Sequence, residues 1–176
     1  MYESLTSYIP RLSTSCHGEW IVDCENDGTP EHPIQMPFVD YDDIAVRFME
    51  DVYRFIDAHL DMSLTNYGDI LENNGLKWSA ESMTAADVSE LDGQAIMALV
   101  VGAIRADRFC VGTLLELLEN GSVLRWLRRL KEIDEHEISK MNFRDLRGVK
   151  HENPLAFIRR EPQIPFNGSQ GEDWEV

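Results

Sequence analysis

Cys16, His17, Cys24 and His32 lie within seventeen residues, and all four side-chain types can ligate a metal. Zinc sites pair ligands two to four residues apart, so that one turn holds two of them. Here Cys16 and Cys24 are eight apart and His17 adjoins Cys16, a spacing that no single turn can use. No metal and no cofactor is expected. Cys110 follows Phe109 and lies near Arg105 and Arg108 in sequence. A reactive thiol needs cations that lower its pKa, and those two arginines are the only hint of them.

Other catalytic patterns are missing. The chain has no Gly-x-Ser-x-Gly elbow and no phosphate-cradling glycine loop. With 32 Asp and Glu, no chosen carboxylate pair is informative for acid–base work. A small enzyme of unknown reaction is therefore an alternative, and no catalytic residue is assigned. A helix-turn-helix regulator is a second alternative. Residues 114–130 read as helix, tight Gly-containing turn and helix, with Arg125, Arg128 and Arg129 on the outer face of the second. A DNA-binding domain carries a basic footprint, whereas this chain has a formal net charge of −16.

That charge is the strongest global signal. Residues 1–104 hold 19 acids and 4 bases, residues 105–131 hold 6 bases and 3 acids, and residues 132–176 hold 10 acids and 6 bases. Such a field repels nucleic acid and anionic membrane, and it attracts basic protein surfaces. The expected function is a non-enzymatic acidic binding protein that docks on a basic protein surface. In one form it imitates nucleic acid and inhibits a nucleic-acid-handling machine. The expected contact residues are Asp43, Glu50, Asp51 and Asp57, on the outer side of a helix over residues 41–59. Arg47 and Arg54 share that side and offset part of its charge. No membrane is expected as a partner, and a homo-oligomer is left open.

These residues need a scaffold, and the chain supplies it around residues 95–104, ten successive residues without a charge. Apolar side chains fall all round the helical wheel there, which marks a central buried helix. Ten residues are about half of the ~20 that span a bilayer. The fold expected is mainly α, a compact helical bundle around this helix with a small N-terminal β-hairpin near residues 19–39. Tyr2, Leu5, Ile9 and Leu12 predict a first short helix ending near Pro10. Glu19 to Asp23 and the alternation of Ile34, Met36 and Phe38 predict two strands, the second an edge strand because Pro37 cannot donate. Asp40, with Asp43 three residues on, reads as the cap of the next helix, whose core face is Ile44, Phe48, Val52, Phe55 and Ile56.

Thr65 reads as the cap of a helix through Glu72, stopped by Gly75. Residues 76–87 read as a connector. Ser89 and Asp92 read as the capping pair of the central helix, with Arg105 and Arg108 complementing the dipole in its last turn. Gly112 breaks the pattern. Leu114, Leu115, Leu117 and Leu118 then share a short helix ended by Asn120-Gly121. Ser122 is expected to cap a long helix that buries Val123, Trp126, Leu127, Leu130 and Ile133.

Residues 1–140 thus read as one domain, and residues 141–176 as a Pro- and Gly-punctuated arm packed on the domain or on a second copy. Leu155, Phe157, Ile158, Ile164, Phe166 and Trp174 would be its anchors. Three cysteines cannot complete a disulfide framework, and the start of the chain has no signal-peptide pattern, so a cytoplasmic location is expected.

Gly102-Ala103-Ile104-Arg105-Ala106-Asp107-Arg108-Phe109-Cys110, followed by Gly112, Leu114-Leu115, Gly121 and Trp126-Leu127-x-x-Leu130-Lys131, carries a resemblance. Over roughly residues 60–135 the chain resembles an uncharacterised bacterial family known only as a domain of unknown function. The resemblance implies a compact helical domain and no particular activity.

Overall fold

The computed structural model describes residues 1–14 and 16–148, with side chains through residue 140. The expectation for residues 149–176, and for the side chains of residues 141–148, lies outside the described residues. Residues 1–140 form one compact unit.

The fold is mainly helical with one two-stranded antiparallel sheet. At its centre is α6 (Gly93–Ala106), the uncharged run of the sequence. Ala95, Ile96, Met97, Ala98, Leu99 and Ala103 have no exposed surface at all. Such a helix has no outer face, so its neighbours must surround it. They are α3 (Asp43–Ala58), α4 (Tyr67–Asn73), α5 (Ala80–Ala85) and α7 (Thr113–Glu119). Two helical turns, α1 (Glu3–Thr6) and α2 (Ile9–Leu12), pack on α3. The closing helix α8 (Ser122–Gly148) buries Val123, Trp126, Leu127 and Leu130. Asp134 on it holds the chain start, accepting from the Met1 ammonium at 2.9 Å and the Tyr2 N–H at 2.7 Å.

Several local readings shift, each for a physical reason. The first helix is two short turns. Pro10 sits in the first turn of α2 instead of ending a helix, because a missing N–H is harmless there. The hairpin pairs β1 (Gly18–Ile21) with β2 (Phe38–Tyr41), so Ile34 and Met36 fall in the connecting loop and not in the strand. Asp42, not Asp40, caps α3, its carboxylate accepting from the Ala45 N–H at 2.7 Å. Asp40 is a strand residue. Thr65 lies in a 3-10 turn, and α4 starts without a side-chain cap.

The supposed connector contains α5, capped by Ser79, a helix too short to show a period. Asp92 alone caps α6, accepting from the Ala95 N–H at 2.8 Å. Asn120 takes the Ser122 N–H at 2.9 Å, while the Ser122 hydroxyl is buried without a partner among the described residues. On α8, Lys131 pairs with Glu135 at 3.9 Å and Arg129 with Glu132 at 3.2 Å.

Candidate functional site

Two surfaces gather the chemistry. The first is the hairpin. Between Arg11 and Arg47 the chain has no Lys or Arg and eight carboxylates. Its long loop is closed by Asp23, which accepts from the backbone N–H groups of Glu25, Asn26 and Gln35 and from the Asn26 amide. Those bonds, led by that from Gln35, hold the Asp23 carboxyl well below the usual range. Glu19 lies directly opposite Asp40 in the register. Like charges opposed across a strand pair destabilise it. They line a shallow notch of about 290 Å³ with Cys16, Gly18, Tyr41 and Asp42. Elsewhere on the hairpin Trp20, Val22, Ile34, Met36 and Phe38 are exposed.

The hairpin is fixed to the core at three points. The His17 ring is buried, with Nε2 3.1 Å from the Leu12 carbonyl oxygen and Nδ1 3.6 Å from Asp42. Tyr41 donates its hydroxyl to Asp107 at 2.9 Å. Burial, followed by that bond, pushes the Tyr41 phenol well above its ordinary range. Trp20 lies against Gly112, where φ is +90°. A Cβ at Gly112 would stand 2.3 Å from the Trp20 ring, so glycine is needed both for the backbone and for the contact.

The second surface is the end of α6. Arg105 lies over the Tyr53 ring, 5.4 Å from its centroid. Arg105, Arg108, Tyr53, Asp57, Tyr67 and Phe109 line a cavity of about 310 Å³ floored by Ile56, Leu64 and Val101. Phe109, 79 % exposed, separates it from an apolar cavity of about 370 Å³ lined by Trp78, Ala80, Ala106 and Cys110. Trp78 meets Tyr67 and Phe109 edge-on, at 5.2 and 6.0 Å. Its indole N–H donates to the Gly102 carbonyl at 2.8 Å, which anchors it to α6.

The residues singled out by the sequence do not all come together. Asp43 is exposed in the first turn of α3. Glu50 and Asp51 both pair with Arg54, and Asp51 also accepts from the Tyr8 hydroxyl at 2.6 Å. Asp57 faces the arginine cavity. Among the described residues no three His, Cys, Asp or Glu side chains form a metal-holding group. Cys16, Cys24 and Cys110 are free and exposed, and the Cys16 thiol donates to the Gly18 carbonyl at 3.2 Å. Of the proposed recognition-helix arginines, Arg125 donates to the Thr84 carbonyl at 2.6 Å and Arg129 pairs with Glu132. Only Arg128 is left without a partner among the described residues, one arginine where a phosphate-binding face needs several. No sequence signal marks Tyr53, which falls off the apolar face of its helix, or Trp78, which lies in the stretch read as a connector; Tyr67 at helical spacing reads as core.

The architecture is thus a helical domain with an acidic hairpin and an aromatic–arginine cavity. The chain belongs to the family of unknown function DUF6508, which matches residues 2–136 and so takes in both surfaces. No curated protein and no solved structure matches the chain. Among the described residues no helix is long and apolar enough to cross a membrane.

Proposed function

We propose that the protein acts by binding, docking its acidic hairpin on a basic protein surface. The observation that carries this reading is the Glu19–Asp40 pair, two like charges opposed across strands in a segment without Lys or Arg. The arrangement strains the isolated protein, and a cation from a partner seated in the notch relieves it. The exposed Met36 and Phe38 supply apolar contact beside these acids, the usual anatomy of a protein interface. Asp43 extends the acidic field. Glu50 and Asp51 add less, because Arg54 already neutralises them. Imitation of a nucleic-acid backbone is the finer form of this proposal. A cytoplasmic setting, which keeps three exposed thiols reduced, fits it.

The test joins stability to binding. A partner is captured by cross-linking in the protein's own cells. Its association is then measured from about 50 to 300 mM salt, across the range in which the screening length falls below ~10 Å. Glu19→Gln with Asp40→Asn should slow association and flatten its salt dependence, while slightly raising the melting temperature of the free protein. A partner that binds this variant as fast, with the same salt slope, rules out the hairpin. Turnover of a small molecule with no partner recovered would replace the reading with an enzyme.

A further inference from the structure

Opposite charges on the wall of one cavity ordinarily close on each other. Asp57, Arg105 and Arg108 all line the cavity at the end of α6, yet none of their three side chains forms an ion pair or hydrogen bond among the described residues. Arg105 is held instead by the Tyr53 ring, which fixes its guanidinium without using its N–H groups.

We propose that this cavity binds a zwitterionic aromatic α-amino acid. Its carboxylate bridges Arg105 and Arg108, its ammonium meets Asp57, and its ring lies against Tyr67 and Phe109. Charge decides for a zwitterion over a simple anion. Asp57 and the carbonyl end of α6 both oppose a bare carboxylate, and an ammonium on the same ligand turns Asp57 from repulsive to attractive. Size decides for an amino acid, since about 310 Å³ is at the lower bound of ligand pockets, which run from ~300 to 1,000 Å³. The aromatic walls decide for an aromatic side chain.

The experiment titrates the full chain with L-phenylalanine, L-tyrosine and L-tryptophan by calorimetry. The first is then compared with L-phenylalaninamide, which lacks the carboxylate, and with 3-phenylpropanoate, which lacks the ammonium. At least one amino acid should bind, and loss of either charge from phenylalanine should weaken it about ten-fold or more. Asp57→Asn should abolish the preference over 3-phenylpropanoate, and Arg105→Gln with Arg108→Gln the preference over the amide. All three positions are at least partly exposed, so the variants should keep the wild-type melting temperature, checked by circular dichroism. No binding of any of the three amino acids up to about 10 mM overturns the proposal, as do equal affinities for phenylalanine and its two analogues. Binding that none of the folded variants changes overturns the assignment to this cavity. The hairpin reading stands or falls separately, because none of these substitutions touches it.

Discussion

Asp107 offers the sharpest test of how the two surfaces are tied together. One oxygen, Oδ1, accepts from the Tyr41 hydroxyl at 2.9 Å, the Gly112 N–H at 2.9 Å and the Leu114 N–H at 3.1 Å. A single carboxylate thus caps the turn into α7 and pins β2 to the end of α6. Asp107→Ala removes a cap, worth about 1 kcal/mol, and strands a half-buried phenol, worth about 1–3 kcal/mol. The sum is about 2–4 kcal/mol. In a chain of this size each kcal/mol moves the melting temperature by about 2–4 °C, so a fall of about 4–16 °C is expected. Asp107→Asn keeps an acceptor oxygen but loses its charge, and should fall between wild type and alanine.

Tyr41→Phe separates the parts. In the wild-type background it removes one donor from a carboxylate that keeps two, and the loss should be small. In the Asp107→Ala background the stranded hydroxyl is gone, so Tyr41→Phe should be neutral or stabilising. The double-mutant cycle, run by thermal and urea denaturation, should give a coupling of about 0.5–3 kcal/mol. If Asp107→Ala melts within about 2 °C of wild type, or if the two changes simply add, the carboxylate does not hold the hairpin to the core.

Leu99 is fully buried in α6, and Leu99→Ala should lower stability by about 2–5 kcal/mol; a wild-type denaturation midpoint would remove α6 from the centre of the core. Gly112→Ala should cost about 1–2 kcal/mol from the left-handed backbone, plus displacement of Trp20. In a Trp20→Ala background only the backbone part should remain, so an unchanged loss there would show that the ring contact is unimportant. At high pH, burial and then Asp134 push the Tyr2 phenol from 10.0 up to about 12. The folded state therefore keeps a proton that the unfolded state releases, and stability is fully present below pH 10 and falls as pH rises from 10 to 12. Tyr2→Phe should remove one proton from that slope, measured as urea midpoints between pH 8 and 12; an unchanged slope would place the phenol outside the core.

The helices were legible because burial on a helix leaves a periodic imprint. The uncharged run of residues 95–104, the apolar face of α3 and the leucines of α7 each declare what they face. Caps were legible only to within a residue or two. Asp40, Asp42 and Asp43 are chemically interchangeable as caps, and the choice among them depends on where β2 ends. Net charge, too, is a property of composition, and the acidic character of the N-terminal hundred residues is plain without a fold.

The placement of charges was not legible, because it depends on contacts between residues far apart in the chain. Arg54 neutralises Glu50 and Asp51 within one helix, which spacing allowed but did not require. Glu19 meets Asp40 only through the hairpin register, and Trp20 meets Gly112 only because Asp107 draws Tyr41 to the end of α6. Arg105 and Arg108 read as complements to a helix dipole. Packing α3 and α4 against α6 brings Tyr53, Asp57 and Tyr67 around them, and that convergence of three helices turns two surface cations into the wall of a cavity.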